Sequence, residues 1–143
     1  MSTLSPTGLT PASLSPTRGR VLAVVAAVAA AALVFLTETK LFGLALTVHT
    51  SPGGAAQSVG IGAVLAVATA ASLAGWALLA LFERRTARAA TAWTRTAVVV
   101  LLLSWSGPAT SATGLSAGVG LGLLHLTVAL VLVPLLRRTA VRR

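Results

Sequence analysis

The residue whose type and position most suggest chemistry is His125, which lies near the middle of a long apolar run. An ionisable group at such a depth is costly and must find a partner, so it could relay protons or bind an anionic ligand. The alternative is a structural hydrogen bond to a backbone carbonyl or to a hydroxyl on another helix, such as Thr69, Ser72 or Ser104. No Asp or Glu lies at matching depth to pair with a charged imidazole. We therefore predict a neutral intramembrane polar site at His125, facing the interior of a helix bundle.

The other ionisable residues near the apolar runs lie at the ends of those runs. Glu83 is followed by Arg84 and is expected to form an ion pair at headgroup level, with that residue or with an arginine of the neighbouring loop. Glu38 and Lys40 are predicted to be solvated at the outer end of the first run. His49 has no Cys, Asp or second His beside it, which does not favour a metal site.

Sequence patterns typical of catalysis are absent from the chain. There is no Walker lysine, no G-x-S-x-G, no H-E-x-x-H and no aspartate pair for magnesium-dependent transfer. The lack of cysteine removes disulfides, thiolate metal sites and thiol redox chemistry. We predict no catalytic residue, no cofactor, no metal and no enzymatic activity.

Composition shows what surrounds these residues. The 143 residues are 56% hydrophobic and only 9% charged, and the mean hydropathy is +0.93. A soluble domain is nearer one quarter charged, so a water-soluble fold of this size could not solvate its surface. The net charge of +9 comes from basic residues beside apolar runs, which indicates orientation signals and lipid contact rather than nucleic-acid binding.

Four apolar segments predict the fold class: all-α, a polytopic membrane protein with a four-helix transmembrane bundle. The spans are predicted at about 21–41, 59–82, 94–112 and 115–136, within a transmembrane domain of residues 18–138. Residues 1–17 are rich in Ser, Thr and Pro and are predicted to be a disordered cytoplasmic tail, and residues 139–143 a basic cytoplasmic tail. A cleaved signal peptide is the alternative for the first run, but its length favours an uncleaved anchor.

Basic residues are distributed very unevenly among the connecting segments. Only Lys40 falls on one side of the predicted bundle. The ten residues predicted to determine topology fall on the other: Arg18, Arg20, Arg84, Arg85, Arg88, Arg95, Arg137, Arg138, Arg142 and Arg143. By the positive-inside rule, this bias predicts a multi-pass plasma-membrane protein with both termini in the cytoplasm. Trp93 and Trp105 are expected at opposite membrane interfaces of the third span.

Small residues recur every fourth position in three of the spans, and in the first they are Ala23, Ala27 and Ala31. Between helices in lipid, close backbone approach through such residues provides the packing. We predict that the second and fourth spans pack together through two helix-packing faces, Gly62, Ala66, Ala70 and Ala74 on one and Gly114, Gly118 and Gly122 on the other. The alternative is that one glycine face is exposed and mediates dimerisation.

Several stretches of the sequence resemble a family of small actinobacterial integral membrane proteins that is known only as a domain of unknown function. The stretches are residues 75–85 (GWALLALFERR), residues 44–50, Gly107-Pro108 and His125-Leu126. The resemblance covers about residues 20–136 and implies four spans in a plasma membrane, without implying an activity. The use of ten Arg to one Lys fits a GC-rich genome.

These observations leave three functional hypotheses. The first is a non-enzymatic accessory or scaffold component whose partners are the lipid bilayer and another membrane protein or a second copy of the chain, with no nucleic acid. The second is a small proton-coupled transporter, although known small exporters use a carboxylate buried inside the first span, whereas Glu38 is expected at the boundary. The third is an intramembrane enzyme.

Overall fold

The computed structural model of the chain describes residues 15–49 and 54–141. The predictions for residues 1–14 of the tail, for residues 51–53 of the outside loop and for Arg142 and Arg143 lie outside the described residues. The described part is mostly helical. In chain order its elements are α1 (Pro16–Leu36), a π-helical turn (Thr37–Leu41), β1 (Thr47–His49), β2 (Ala56–Ser58), α2 (Ile61–Arg85), α3 (Ala89–Ser104), α4 (Ser106–Ser111) and α5 (Leu115–Arg138).

Three helices of the described part are long and apolar enough to cross a membrane. They are α1 with its π-helical turn, which together cover Pro16–Leu41, and then α2 and α5. The first begins slightly before the predicted span, because the Ser15 side chain accepts a hydrogen bond from the Arg18 amide and Pro16 occupies the first helical position. The end of the predicted N-terminal tail is therefore helical.

The third predicted span, 94–112, is not one continuous helix. It is divided into α3, of 16 residues, and α4, of 6 residues. At 1.5 Å per residue α3 alone is about 24 Å long, which is short of the roughly 30 Å hydrocarbon core. Around the break, the hydroxyls of Ser104 and Ser106 donate to carbonyls three residues earlier, which competes with the regular helical pattern. Trp105, between the two helices, keeps helical dihedral angles.

The first helix is the centre of the bundle. It makes its most extensive contacts with α5 and then with α2, whereas α3 packs on α2 and α5. Its buried face consists of Ala23, Ala27, Ala31 and Phe35, at a spacing of four residues. The three alanines are at most 1% exposed, so the neighbouring helices approach the α1 backbone closely.

The predicted pairing of α2 with α5 through two small-residue faces is not what the structure contains. Gly62, Ala66, Ala70 and Ala74 all lie exposed on the outer side of α2. On α5, Gly114 is exposed, whereas Gly118 and Gly122 pack elsewhere. A Cβ atom at Gly118 would lie 3.6 Å from the Cβ of Ala112, and one at Gly122 would lie 3.0 Å from the Trp105 ring. The α5 glycines therefore make room for the segment that follows α3.

Buried side chains extend the core along the bundle in two clusters. The inner cluster contains Ala23, Ala27, Leu79, Trp93, Leu132 and Leu136, and the outer cluster contains Ala31, Phe35, Leu46, Val64, Ala68 and Leu124. Trp93 is only 3% exposed and its indole N–H donates to the Val133 carbonyl at 3.4 Å. Trp93 therefore packs inside the bundle, where Gly75 leaves space for its ring.

The loop between α1 and α2 forms a small β-hairpin. Strands β1 and β2 are antiparallel, with Val48 opposite Gln57. The Val59 amide donates to the Leu46 carbonyl at 2.7 Å, and the Thr113 amide donates to the Thr47 carbonyl at 3.1 Å. The first bond extends the pairing of the hairpin, and the second attaches the hairpin to the segment that leads into α5.

Candidate functional site

Three features of the described part of the chain are candidates for a functional site. The first is an ion pair between Arg20 of α1 and Glu83 of α2, at 2.6 Å. The guanidinium also donates to the side-chain and backbone oxygens of Thr139 beyond α5, both at 3.3 Å, and Glu83 accepts from the Val141 amide at 2.9 Å. We call Arg20, Glu83, Thr139 and Val141 the inner clamp, since it joins the inner ends of α1, α2 and α5.

The inner clamp differs from the predicted headgroup ion pair in both partner and burial. Glu83 pairs with Arg20 rather than with Arg84, and the two paired side chains are 12% and 10% exposed. Multiple hydrogen bonds to both charges offset the cost of removing them from water. Such an arrangement is structural in character, because it links α1, α2 and the segment after α5.

The second arrangement is an apolar cavity of about 710 Å³ between α2, α3 and α5. Its walls are almost entirely aliphatic, with Trp93 at one end, and its polar lining residues are Ser104 and His125. The volume falls within the range of roughly 300–1,000 Å³ for small-molecule sites. With no charged residue in its lining, the cavity is suited to an uncharged apolar molecule.

His125 lines this cavity but bonds within its own helix. Its Nδ1 atom lies 2.8 Å from the Leu121 carbonyl, one turn earlier in α5. The predicted bond to another helix is therefore not formed, and of the three expected hydroxyl partners only Ser104 shares the cavity. The Ser104 hydroxyl donates instead to the Leu101 carbonyl at 2.9 Å.

The third arrangement is Glu38, in the π-helical turn at the outer end of α1. Its side chain points into the bundle and the residue is 4% exposed. Neither carboxyl oxygen has a hydrogen-bond partner among the described residues. The prediction that Glu38 is solvated is therefore wrong, whereas Lys40, two residues later, is exposed as expected.

The remaining sequence-predicted residues lie at the two ends of the bundle. His49 is exposed in β1, where its Nδ1 atom is 2.8 Å from the Gly54 carbonyl, and the described residues contain no group of three His, Cys, Asp or Glu that could hold a metal ion. The described topology arginines other than Arg20 are exposed at the clamp end: Arg18, Arg84, Arg85, Arg88, Arg95, Arg137 and Arg138.

Helical spacing contained the signal that sequence reasoning missed. Arg20 and Glu38 are eighteen residues apart, which is five turns of an α-helix, so both lie on the same side as the alanine row of α1. When the middle of a small-residue face packs against other helices, the residues at the two ends of that face are buried as well. The spacing thus indicates that both charges enter the bundle.

Removing the anion of the inner clamp should destabilise the fold. Glu83→Gln leaves the Arg20 guanidinium buried without a counter-charge, and we expect the free energy of unfolding to fall by about 3 kcal/mol. The measurement is a denaturant titration of the purified protein in detergent, followed by circular dichroism.

The matched control is Arg84→Gln, which removes an exposed charge next to Glu83 in the same helix. It should change the free energy of unfolding by less than about 0.5 kcal/mol. Equal effects of the two substitutions would show that the inner clamp does not contribute as described.

Comparison with known proteins adds one finding. Residues 11–142 match a family of unknown function, DUF6069. No curated protein and no solved structure matches the chain. Since the match covers nearly the whole sequence, the chain belongs to the DUF6069 family.

Proposed function

We propose that the protein is a non-enzymatic accessory component of the plasma membrane, with four spans, which docks on a different membrane protein through the outer face of α2. The observation that carries this proposal is the exposure of Gly62, Ala66, Ala70 and Ala74, which we call the α2 stripe. Nothing lies within 4 Å of the position a Cβ atom would take at Gly62. The non-enzymatic part of the proposal rests on the lack of catalytic patterns in the sequence, and an actinobacterial source rests on its arginine usage.

A stripe of small side chains is useful in lipid when another helix packs on it. Lipid tails are as apolar as leucine, so association depends on close van der Waals contact between backbones. The internal contacts of α2 use a different face, formed by Val64, Ala68, Ser72 and Leu79. The α2 stripe is therefore not needed to hold the bundle together and is available to a partner helix.

The cavity is a poorer candidate for helix docking than the α2 stripe. A helix with its side chains is about 10 Å across, so a 30 Å length occupies about 2,400 Å³. The cavity of about 710 Å³ is several times smaller. It suits a slender apolar chain from the bilayer, whereas a helix suits the open face.

Charge favours a different protein over a second copy of this chain. Arg84 and Arg85 are exposed at the inner end of α2, and at about 100° per residue they lie on the same side as the α2 stripe. A parallel dimer through this face would bring these arginines together, and like charges repel. The expected partner carries acidic side chains at the cytoplasmic end of its docking helix.

Four spans with both termini in the cytoplasm are supported by the combined length of α3 and α4. Because Trp105 keeps helical dihedral angles, residues 89–111 together extend for about 34 Å, enough to cross the hydrocarbon core. The exposed arginines at the clamp end agree with a cytoplasmic position of that end under the positive-inside rule.

The natural absence of cysteine allows a direct test of the four-span topology. Single cysteines replace the exposed residues Thr17, Ala55, Ala87, Thr110 and Val141. We expect a membrane-impermeant maleimide added to intact cells to label only positions 55 and 110, and to label all five after the membrane is opened. Lack of labelling at position 110 in intact cells would show that α3 and α4 do not cross the membrane.

If the partner docks through the α2 stripe, its binding should depend on the small side chains at the centre of the stripe. The double substitution Ala66→Leu and Ala70→Leu should lower the amount of co-purifying partner in mild detergent at least about tenfold, which corresponds to about 1.4 kcal/mol. Arg84→Glu with Arg85→Glu should lower it as well, because the acidic groups of the partner would then be repelled.

The control is Ala29→Leu, the same substitution on the exposed side of α1, which should leave co-purification unchanged. A disulfide-linked homodimer formed by Ala70→Cys in native membranes would contradict the choice of partner. Co-purification that is unaffected by the double substitution would contradict the docking face.

A small proton-coupled transporter is the second candidate, and one observation favours it. The sequence argued against it because Glu38 was expected at the boundary, whereas the structure buries this carboxyl at the outer end of α1. The strong charge bias still disfavours the dual orientation of many small exporters. The accessory component therefore remains the first proposal.

A further inference from the structure

Glu38 is a buried acid without a polar partner, and this is unusual for any fold. Its two carboxyl oxygens have no hydrogen-bond partner within the described part of the chain. Buried polar groups are nearly always satisfied, and an exception calls for a specific explanation. Ser72 is the other such residue here, but its hydroxyl carries no charge.

The carboxyl lies beside a glycine of α5. A Cβ atom at Gly120 would lie 3.4 Å from the Oε2 atom of Glu38, which is ordinary van der Waals contact, and 2.6 Å from the end of the Leu46 side chain. A larger residue at this position would therefore displace the Leu46 side chain. Glu38, Leu46 and Gly120 together form what we call the Glu38 site.

The backbone of α1 also changes at this position. Residues Thr37–Leu41 form a π-helical turn, and such turns occur frequently at functional sites. The Glu38 carbonyl accepts from the Leu44 amide at 2.9 Å, which returns the chain over the carboxyl. Leu46, 2% exposed, packs at the same glycine as the carboxyl.

No charge in the described surroundings compensates a carboxylate at this site. The packed neighbours are Gly120 and Leu46. Lys40 and His49 are exposed, and the latter bonds to the Gly54 carbonyl. Arg20 is about 27 Å away along the helix, eighteen residues at 1.5 Å each. A bare carboxylate would therefore be an isolated charge in an apolar environment, close to the outer membrane boundary.

We propose that Glu38 is a proton-binding site, at which a carboxylic acid holds an exchangeable proton at neutral pH and exchanges it with the outer side of the membrane. The ligand class follows from the donors present. A metal cation needs several oxygen ligands, and the only other side-chain carboxylate of the chain, Glu83, is in the inner clamp at the opposite end. A proton needs a single carboxyl oxygen, which the Glu38 site provides.

Exchange from the outer side follows from the position of the carboxyl. Glu38 lies in the π-helical turn at the outer end of α1, and the chain then leads through Leu46 into the hairpin, whose strands are three residues each. Such a small element opens at lower cost than a packed helix. Movement of Leu46 would give water access to the carboxyl without separating α1 from α5.

Infrared spectroscopy tests the proposal directly, because the chain has only two carboxyl side chains. The full-length protein in lipid vesicles at pH 7 is compared with Glu38→Gln and, as the matched control, Glu83→Gln. The difference spectrum for Glu38→Gln should lose a protonated-carboxyl C=O stretching band. The spectrum for Glu83→Gln should lose carboxylate bands instead, since Glu83 is paired with Arg20.

Deuterium exchange tests the second half of the proposal. Transfer of the wild-type vesicles to deuterated buffer should shift the Glu38 band to lower frequency, and Leu46→Ala should accelerate the shift. Loss of carboxylate bands in Glu38→Gln would overturn proton binding. A protonated band that never shifts would overturn exchange with the outer side. Because Gln has the shape of the neutral acid, Glu38→Gln should fold normally. Its difference spectrum then reports the Glu38 carboxyl, and the wild-type protein reports the exchange.

Discussion

Close approach of two helices to the backbone of α1 is the constraint on which the rest of the bundle depends. Ala23, Ala27 and Ala31 are almost completely buried, and side chains of this size bring α2 and α5 close to the central helix. In lipid there is little hydrophobic driving force between helices, so contact of this kind has to provide the association. The positions of the polar groups follow from it, because residues on the same face enter the bundle whether or not they are apolar.

The charged residues at the two ends of that face have different surroundings. At the inner end, Arg20 meets an opposite charge and the hydroxyl and carbonyl of Thr139, so a buried ion pair ties three helices together. At the outer end, the Glu38 carboxyl lies beside Gly120, and its oxygens have no hydrogen-bond partner among the described residues. The ion pair at the inner end stabilises the bundle, and the carboxyl at the outer end is the basis of the proposed proton-binding site.

The membrane class and the long helices could be predicted from the sequence, because composition and apolar run length reflect the lipid environment directly. The positions of α2 and α5 agree with the predicted spans to within a few residues. The third span was less predictable, because the break lies where Pro108 has no amide to donate to the Ser104 carbonyl four residues earlier. Hydropathy does not detect such a backbone effect. The status of this segment as a span is therefore part of the proposed topology.

Helix neighbours could not be predicted from small-residue spacing alone. Three helices carried such rows, and spacing does not say which row packs inside the bundle. The α5 glycines accommodate Trp105 and Ala112, contacts that depend on where the chain turns after α3. The α1 alanines were the better guide, since they lie between two charges on the same face. The inner clamp and the buried carboxyl would have followed from that spacing.

The most direct test of the central position of α1 is a disulfide between it and the end of α5. A Cβ atom at Gly19 would lie 3.9 Å from the Cβ of Thr139, within the roughly 3.5–4.5 Å that a disulfide requires. Mild oxidation of Gly19→Cys with Thr139→Cys in native membranes should link these positions nearly completely. The pair Ala66→Cys with Gly118→Cys, which joins α2 to α5, should stay reduced. Cross-linking of the second pair and not the first would contradict the account.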